Sequence, residues 1–196
     1  MKIYKLRDIG SLIRRNIKIQ DDKEYRQLTI KMNNEGICFR EEKLGFEIGV
    51  KNQSEVHTND LVFSRIDIRN GAIGFVPEEL DGAVVGNDFP VFQLKNNINH
   101  KYLDWCFKTK DFREQSIALS AGATNRKKMK RDNFLNLQIP LPNENIQTEI
   151  VQKIAELNLK VESIKQFCTK LNDDIVNLRN IMLNRIFEGK IKFLLD

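Results

Sequence analysis

Residues 146–187 read IQTEIVQKIAELNLKVESIKQFCTKLNDDIVNLRNIMLNRIF, and this stretch determines how the rest of the chain is organised. Its apolar positions are separated by alternating gaps of three and four residues. They form one seam, which consists of Ile154, Leu157, Val161, Ile164, Cys168, Leu171, Ile175, Leu178 and Met182. Because the alternation persists for about four heptads, it favours a coiled coil over an amphipathic surface helix.

The flanking residues give this helix its limits. Pro140 and Pro142 prevent an earlier start, Asn143 or Asn145 can cap the first turn, and Gly189 ends the helix. At 1.5 Å per residue the helix is roughly 60 Å long. The chain contains no second helical pattern of that length, so the expected partner is another copy of the chain or another protein. The alternative is a long helix folded against its own domain.

The composition is that of one globular domain with an appended element. Of the 196 residues, 41% are hydrophobic and 30% are charged. We place the globular domain at residues 1–142 and the helix with its tail at 143–196. No apolar run is long enough to span a membrane, and the N-terminus lacks the apolar core of a signal peptide. The three cysteines are widely separated, which fits a reducing cytoplasm, where we expect the protein to reside.

The N-terminal domain has the pattern of a β-rich fold. We predict a strand and a turn of helix at the start, a strand over 25–32, a hairpin within 36–50 and strands over 61–68, 72–76 and 84–94. Asn70-Gly71 is a strong hairpin-turn signal. Helices are predicted over 101–110 and 112–119, and a short final strand over 134–139. The fold class is therefore α+β, a mixed β-rich domain followed by a long coiled-coil helix.

Two groups of cationic side chains are candidates for binding a polyanion, which the net charge of +5 permits. Arg65 and Arg69 alternate with isoleucines and would share one sheet face beside Asn70. They can equally form a surface ladder with Asp67. The second group is the stretch TNRKKMKR, residues 124–131, which follows a small-residue loop. A basic run is often only a solvated surface, but the adjoining Thr and Asn favour phosphate contact.

Several segments together resemble the specificity (S) subunits of type I restriction–modification systems. They run from residue 4 to residue 191 and read YKLRDIG, NDLVFSRIDIRNGAIG, DFPVF, GATNRKKMKRDNF, LQIPLPNENIQTEIVQKI and LRNIMLNRIFEGKI. Each piece alone is weak, whereas their order and spacing together are specific.

The resemblance implies a target recognition domain that reads one half of a split double-stranded DNA site, and a spacer helix that packs antiparallel to another. Adenine-N6 methyltransferase subunits, and in some complexes restriction subunits, assemble on this frame. The family usually has two domains and two helices in one chain, whereas this sequence has one of each. It is therefore either a half-subunit that acts as a homodimer or a fragment of a longer subunit. A two-fold homodimer would read a split palindrome.

The sequence contains no catalytic signature that would make the chain an enzyme. It lacks the Asn-Pro-Pro-aromatic or Asp-Pro-Pro-aromatic stretch of adenine methyltransferases, and Gly71–Gly74 is not a cofactor-binding loop. Neither His57 nor His100 has a second ligand at metal spacing. We therefore expect no cofactor and no metal, and we expect a partner to perform the chemistry.

The candidate DNA-binding residues divide by chemistry. Arginine suits guanine and asparagine suits adenine in the major groove, whereas lysines more often hold phosphates. The full set is Arg65, Arg69, Asn70, Thr124, Asn125, Arg126, Lys127, Lys128, Lys130 and Arg131. The competing hypothesis is a coiled-coil interaction or scaffold protein whose basic surface is incidental.

Overall fold

The computed structural model describes residues 2–95, 98–121 and 127–189. The chain divides into two compact units, Met1–Thr148 and Glu149–Asp196. The helices in the described ranges are α1 (Leu6–Ile9), α2 (His100–Phe107), α3 (Lys110–Leu119), α4 (Arg131–Leu135) and α5 (Glu144–Phe187). The strands in the same ranges are β1 (Ile3–Lys5), β2 (Gly10–Ile13), β3 (Arg15–Lys18), β4 (Glu24–Ile30), β5 (Ile37–Leu44), β6 (Asn52–Glu55), β7 (Leu61–Phe63), β8 (Ile73–Phe75), β9 (Val84–Val85), β10 (Val91–Leu94), β11 (Ser120–Ala121), β12 (Lys128–Met129) and β13 (Gln138–Pro140).

Two sheets form most of the N-terminal unit. The first has the strand order β2-β10-β7-β8, and all its neighbours are antiparallel. The second has the order β3-β6-β9-β4-β5, in which only the short contact of β4 with β9 is parallel. Aliphatic side chains from both sheets and their connections pack into one core, which contains Leu28, Val56, Val62, Val76, Leu80, Ala83, Val85 and Val91. The predicted α+β class, a mixed β-rich domain with a long C-terminal helix, is confirmed.

An aromatic cluster joins the first sheet to the last short helix. The Phe134 ring of α4 stacks on the Phe63 ring of β7 with 3.9 Å between centroids, and it meets Phe92 of β10 edge to face at 5.5 Å. All three side chains are fully buried. Nearby, β1 pairs with β13, so the beginning of the chain lies beside the segment that leads into α5. The strand predicted over 134–139 is therefore wrong in its first part, because Phe134 and Leu135 are helical.

The hairpin predicted at Asn70-Gly71 is only partly correct. The strands on either side, β7 and β8, do pair antiparallel. However, β7 ends at Phe63, and residues Ile68–Asn70 form a 3-10 turn that Gly71 closes with φ +79°. The predicted strand over 61–68 is therefore too long, and Arg65 and Arg69 do not alternate along a strand face. Gly71 is required for its left-handed backbone, as in the predicted turn, although the turn is of another kind.

The tight hairpin turn of this domain lies instead between β4 and β5. Asn33 and Asn34 have φ of 59° and 57°, the conformation that two-residue hairpin turns favour. Their backbone N–H groups donate to the carbonyls of Asn70 and Gly71 at 2.7 and 3.1 Å, so the turn rests on the 3-10 turn. The hairpin predicted within 36–50 is wrong, because residues 37–44 form a single strand that pairs with β4.

The long helix begins and ends as its flanking residues predict. Asn143 accepts a hydrogen bond from the backbone N–H of Ile146 through Oδ1, at 3.0 Å, and therefore caps the first turn. Gln147, which is 2% exposed, donates to the Pro142 carbonyl and accepts from the Asn99 N–H. The helix ends at Phe187, and Gly189 follows with φ +70°. Within the described residues, no helix combines the length and the apolar character needed to cross a membrane.

Candidate nucleic-acid interface

Arg65 lies in the turn after β7, where two other segments hold it. Its backbone N–H donates to the Asp88 carbonyl at 2.9 Å, and its own carbonyl accepts from the Met129 N–H at 2.7 Å. Its side-chain Nε donates to the Met129 carbonyl at 3.1 Å. These bonds fix the guanidinium between β12 and the loop of residues 86–90, Gly-Asn-Asp-Phe-Pro, which connects β9 to β10. Arg65 is therefore a positioned side chain on an irregular segment, which is typical of binding residues.

Asp88 of this loop is shared by two cations. Lys128 Nζ lies 3.1 Å from both carboxylate oxygens of Asp88, and Arg65 Nη1 lies 3.7 Å from Oδ1. The three side chains are 40%, 27% and 43% exposed for Lys128, Arg65 and Asp88. Ion pairs this exposed contribute only about 0–1 kcal/mol to stability. A polyanion can therefore replace the Asp88 carboxylate as the partner of Lys128 and Arg65. Two cations and one anion leave a net positive charge at this point.

A shallow pocket beside the same loop adds more polar groups. Its apolar lining comes from Leu12, Phe89 and Pro90, and Arg14, Asn87 and Arg131 also line it as exposed side chains. We call the combined feature the loop surface, which consists of Arg14, Arg65, Asn87, Asp88, Lys128 and Arg131. Guanidinium, ammonium, amide and carboxylate groups are those that contact phosphates and base edges in protein–DNA interfaces.

The structure brings together part of the sequence-predicted set. Arg65, Lys128 and Arg131 lie on the loop surface. The other basic residues of the stretch adjoin it, because Lys127 precedes β12 and the exposed Lys130 directly precedes α4. Three predicted residues, Thr124, Asn125 and Arg126, lie outside the described residues.

Arg69 and Asn70 lie elsewhere in the N-terminal unit. Arg69 is half-buried in the 3-10 turn. Asn70 lines a separate small pocket with Asn33, Asn34 and Arg113, and its carbonyl holds the β4–β5 turn. Asn70 therefore has a structural role in the contact between the β4–β5 turn and the 3-10 turn, and its contact with DNA stays a prediction.

Three residues of the loop surface were missed by sequence reasoning. Asn87 and Asp88 stand between two apolar strands in a Gly-Asn-Asp turn, a signal for an exposed polar loop that the pattern contains. Arg14 is adjacent to Arg15, but the two side chains differ in role. Arg15 forms a bidentate pair with the buried Asp60, with Nη1–Oδ2 and Nη2–Oδ1 distances of 2.5 and 3.2 Å. Nothing in the sequence distinguishes the structural arginine from the exposed one.

Two other reactive side chains of the N-terminal unit, Cys106 and Asp81, have shifted pKa values. Burial raises the pKa of the Cys106 thiol, which disfavours the nucleophilic thiolate. A hydrogen bond from the Thr58 N–H holds the pKa of Asp81 below its usual value, and the His57 ring lies 3.4 Å from that carboxylate. Across residues 2–95, 98–121 and 127–189, no group of three or more His, Cys, Asp or Glu side chains is arranged to hold a metal ion.

The long helix presents the second candidate surface. Of the predicted seam, Ile154 is half-buried and the other members are exposed in the isolated chain. Leu157 is 50% exposed, Ile164 62% and Ile175 63%. Exposed rows of large apolar side chains are typical of surfaces that a partner covers, so the interface over this seam stays a prediction. Cys168, which the seam pattern assigns to a core position, is likewise exposed here.

The family model of the type I restriction modification DNA specificity domain matches residues 1–172. The chain therefore belongs to this family. A search of curated proteins found no match.

The fold is also similar to solved structures. The HsdS subunit from Thermoanaerobacter tengcongensis matches with a TM-score of 0.73 and 18% identity over 90% of this chain and 47% of that one. A chain from a structure on complex assembly and conformational transition of the type I R-M system matches with a TM-score of 0.72 and 18% identity, over 94% and 49%. The S subunit from M. genitalium matches less closely, with a TM-score of 0.51 and 15% identity over 95% and 46%. The chain spans about half the length of each.

Proposed function

We propose that this chain is a DNA-reading subunit that positions adenine-N6 methyltransferase subunits, and in some assemblies restriction subunits, on a bipartite site. One observation carries the proposal, namely the loop surface, where three chain segments present cationic side chains around the loop that carries Asn87 and Asp88. Membership of the specificity-domain family supports the same role. In this proposal the chain binds and orients DNA, and a partner performs the chemistry.

The residues of the loop surface divide between two tasks. Arg14 and Arg131 are exposed at the edge of the pocket and can neutralise phosphates, together with Lys127 and Lys130. Arg65 and Asn87 are assigned to base edges, because the backbone bonds of Arg65 hold it in place and an amide can pair with adenine. Thr124, Asn125 and Arg126 remain proposed contacts from their sequence alone.

The long helix supplies the second half of the proposal. Its exposed seam would pack antiparallel against the same helix of a second copy, and the homodimer would present two identical readers related by a two-fold axis. The expected target is then a split palindrome whose spacing depends on the helix pair.

The deciding experiment is selection from a random duplex pool, using the full chain with its cognate methyltransferase at moderate salt. Enrichment of a split palindrome supports the homodimer, and a single short site supports one isolated reader. If the complex assembles but no sequence is enriched, DNA reading is refuted. The coiled-coil scaffold, which the exposed seam alone favours, would then be the remaining function.

A charge-matched pair of variants tests the loop surface itself. Arg14→Ala with Arg131→Ala should weaken binding to the selected duplex and flatten the plot of log K against log salt by roughly 1–2, because each lost phosphate contact changes the slope by about 0.9. Lys18→Ala with Arg40→Ala removes the same charge from exposed positions on the second sheet. Equal slopes for the two double variants would exclude Arg14 and Arg131 from the interface.

A further inference from the structure

The Asp88 carboxylate is an anion in the middle of a surface that is otherwise cationic or amide. Backbone bonds hold it there, because the Phe89 N–H donates to the Gly86 carbonyl at 3.0 Å and the Arg65 N–H donates to the Asp88 carbonyl at 2.9 Å. Phe89 also packs against the core of the N-terminal unit. These contacts fix the backbone of the loop beside Arg65 and Lys128.

A carboxylate in this position works against contact with an arbitrary duplex. It repels phosphates, and it pairs with Lys128 and Arg65, which would otherwise be available to the DNA. Non-specific binding depends on the neutralisation of phosphates, so the Asp88 carboxylate lowers the affinity for an arbitrary duplex. A target sequence can restore a partner to the carboxylate, because an exposed carboxylate accepts a hydrogen bond from the amino group of cytosine in the major groove.

We propose that Asp88 is a specificity-determining residue that suppresses binding to non-target DNA by holding Lys128 and Arg65. On a target duplex the carboxylate exchanges these cations for a base amino group, and Lys128 and Arg65 become available to the DNA. Discrimination of this kind rests on penalising the wrong partner as well as rewarding the right one. The inference rests on the proposed function, since it requires the loop surface to contact DNA.

The test compares Asp88→Asn with Asp104→Asn in the full chain bound to its methyltransferase. Asp104 pairs with Lys108 at 2.6 Å on α2, so its substitution makes the same change in charge at another exposed ion pair. Dissociation constants are measured between 50 and 200 mM salt for the selected duplex and for a scrambled duplex of equal length. For the scrambled duplex, the slope of log K against log salt should steepen by about 0.9 in Asp88→Asn. The gain in affinity over the wild type should then be roughly three to four times larger at 50 mM than at 200 mM salt.

The preference for the selected duplex should fall by at least the same factor in Asp88→Asn and stay unchanged in Asp104→Asn. Asp88→Ser, which removes the charge with a smaller side chain, should behave as Asp88→Asn does. In a Lys128→Gln background the effect of Asp88→Asn should shrink, because one of the two held cations is already absent.

The outcomes separate the two levels of the proposal. If Asp88→Asn and Asp104→Asn give equal affinities on both duplexes, the Asp88 pair is only structural and the inference fails. If Asp88→Asn binds the selected duplex more weakly and the scrambled duplex no more tightly, Asp88 contacts a base but does not withhold Lys128 and Arg65 from non-target DNA. The inference then also fails. If the wild-type complex binds neither duplex, the proposed function itself fails.

Discussion

Replacing Gly71 with alanine should destabilise the N-terminal unit more than the same change at Gly36 or Gly82, the other left-handed glycines in the part of that unit that the structure describes. Its φ of +79° disfavours an alanine by about 1–2 kcal/mol. A Cβ at this position would also overlap the side-chain amide oxygen of Asn34 and lie 2.7 Å from the Asn34 backbone nitrogen. Relieving that overlap moves the β4–β5 turn, which adds about 1–3 kcal/mol. The expected loss is therefore about 2–5 kcal/mol.

Gly36→Ala provides the matched control. Gly36 has a φ of +85° in the same hairpin, but a Cβ there meets no atom within 4 Å. It should therefore lose only the backbone contribution, about 1–2 kcal/mol. Urea unfolding followed by the fluorescence of Trp105, the single tryptophan, reports the N-terminal unit directly. If the two variants have the same free energy of unfolding, the contact between the β4–β5 turn and the 3-10 turn is not as described.

Three further predictions address the aromatic core, the helix seam and a half-buried histidine. Phe134→Ala, at a fully buried ring, should lower the free energy of unfolding by about 3–5 kcal/mol, whereas Phe39→Ala, at a ring that is 53% exposed, should cost under about 1 kcal/mol in the same urea titration. Leu171→Lys should shift the full chain towards monomer in analytical ultracentrifugation. Asp173→Asn makes the same change in charge outside the seam and should leave the oligomeric state unchanged. If Leu171→Lys also leaves it unchanged, the seam is not part of the interface. Burial lowers the pKa of His100 from 6.5, so the folded state disfavours protonation of this ring. The contribution of His100 to stability should be complete above about pH 6.5 and should be lost as the pH falls below it. His100→Gln should reduce that loss when urea midpoints are compared at pH 7.5 and pH 5.

The elements that depend on local pattern were predictable from the sequence. The helix limits follow from Pro142, Asn143 and Gly189, whose effects act within one turn of the helix. The pairing of β7 with β8 likewise follows from two apolar runs close in sequence. These features need no knowledge of the rest of the fold, which is why single-residue signals were sufficient.

The elements that depend on distant contacts were not predictable. Asn70-Gly71 has the composition of a hairpin turn, but the turn of Asn33 and Asn34 packs on it and only the tertiary structure reveals this. Phe134 continues a run that resembles a strand, yet its ring is needed against Phe63, and a short helix delivers it there. In both cases the tertiary contact overrides a local preference that is weak by comparison.

The loop surface shows the same limit of sequence-based prediction, here in its electrostatics. Counting the basic residues at 126–131 predicts a salt slope of roughly −4 to −5 if all of them meet phosphates. In the structure, Lys128 already shares Asp88 with Arg65, and that carboxylate comes from a loop about forty residues earlier in the chain. A count along the sequence cannot include this anion, so it overstates the charge available to a polyanion. If the chain reads DNA as proposed, the shallower slope expected for non-target DNA reflects this opposing charge. Weaker phosphate contact then leaves more of the total affinity to the bases, which favours discrimination between sequences.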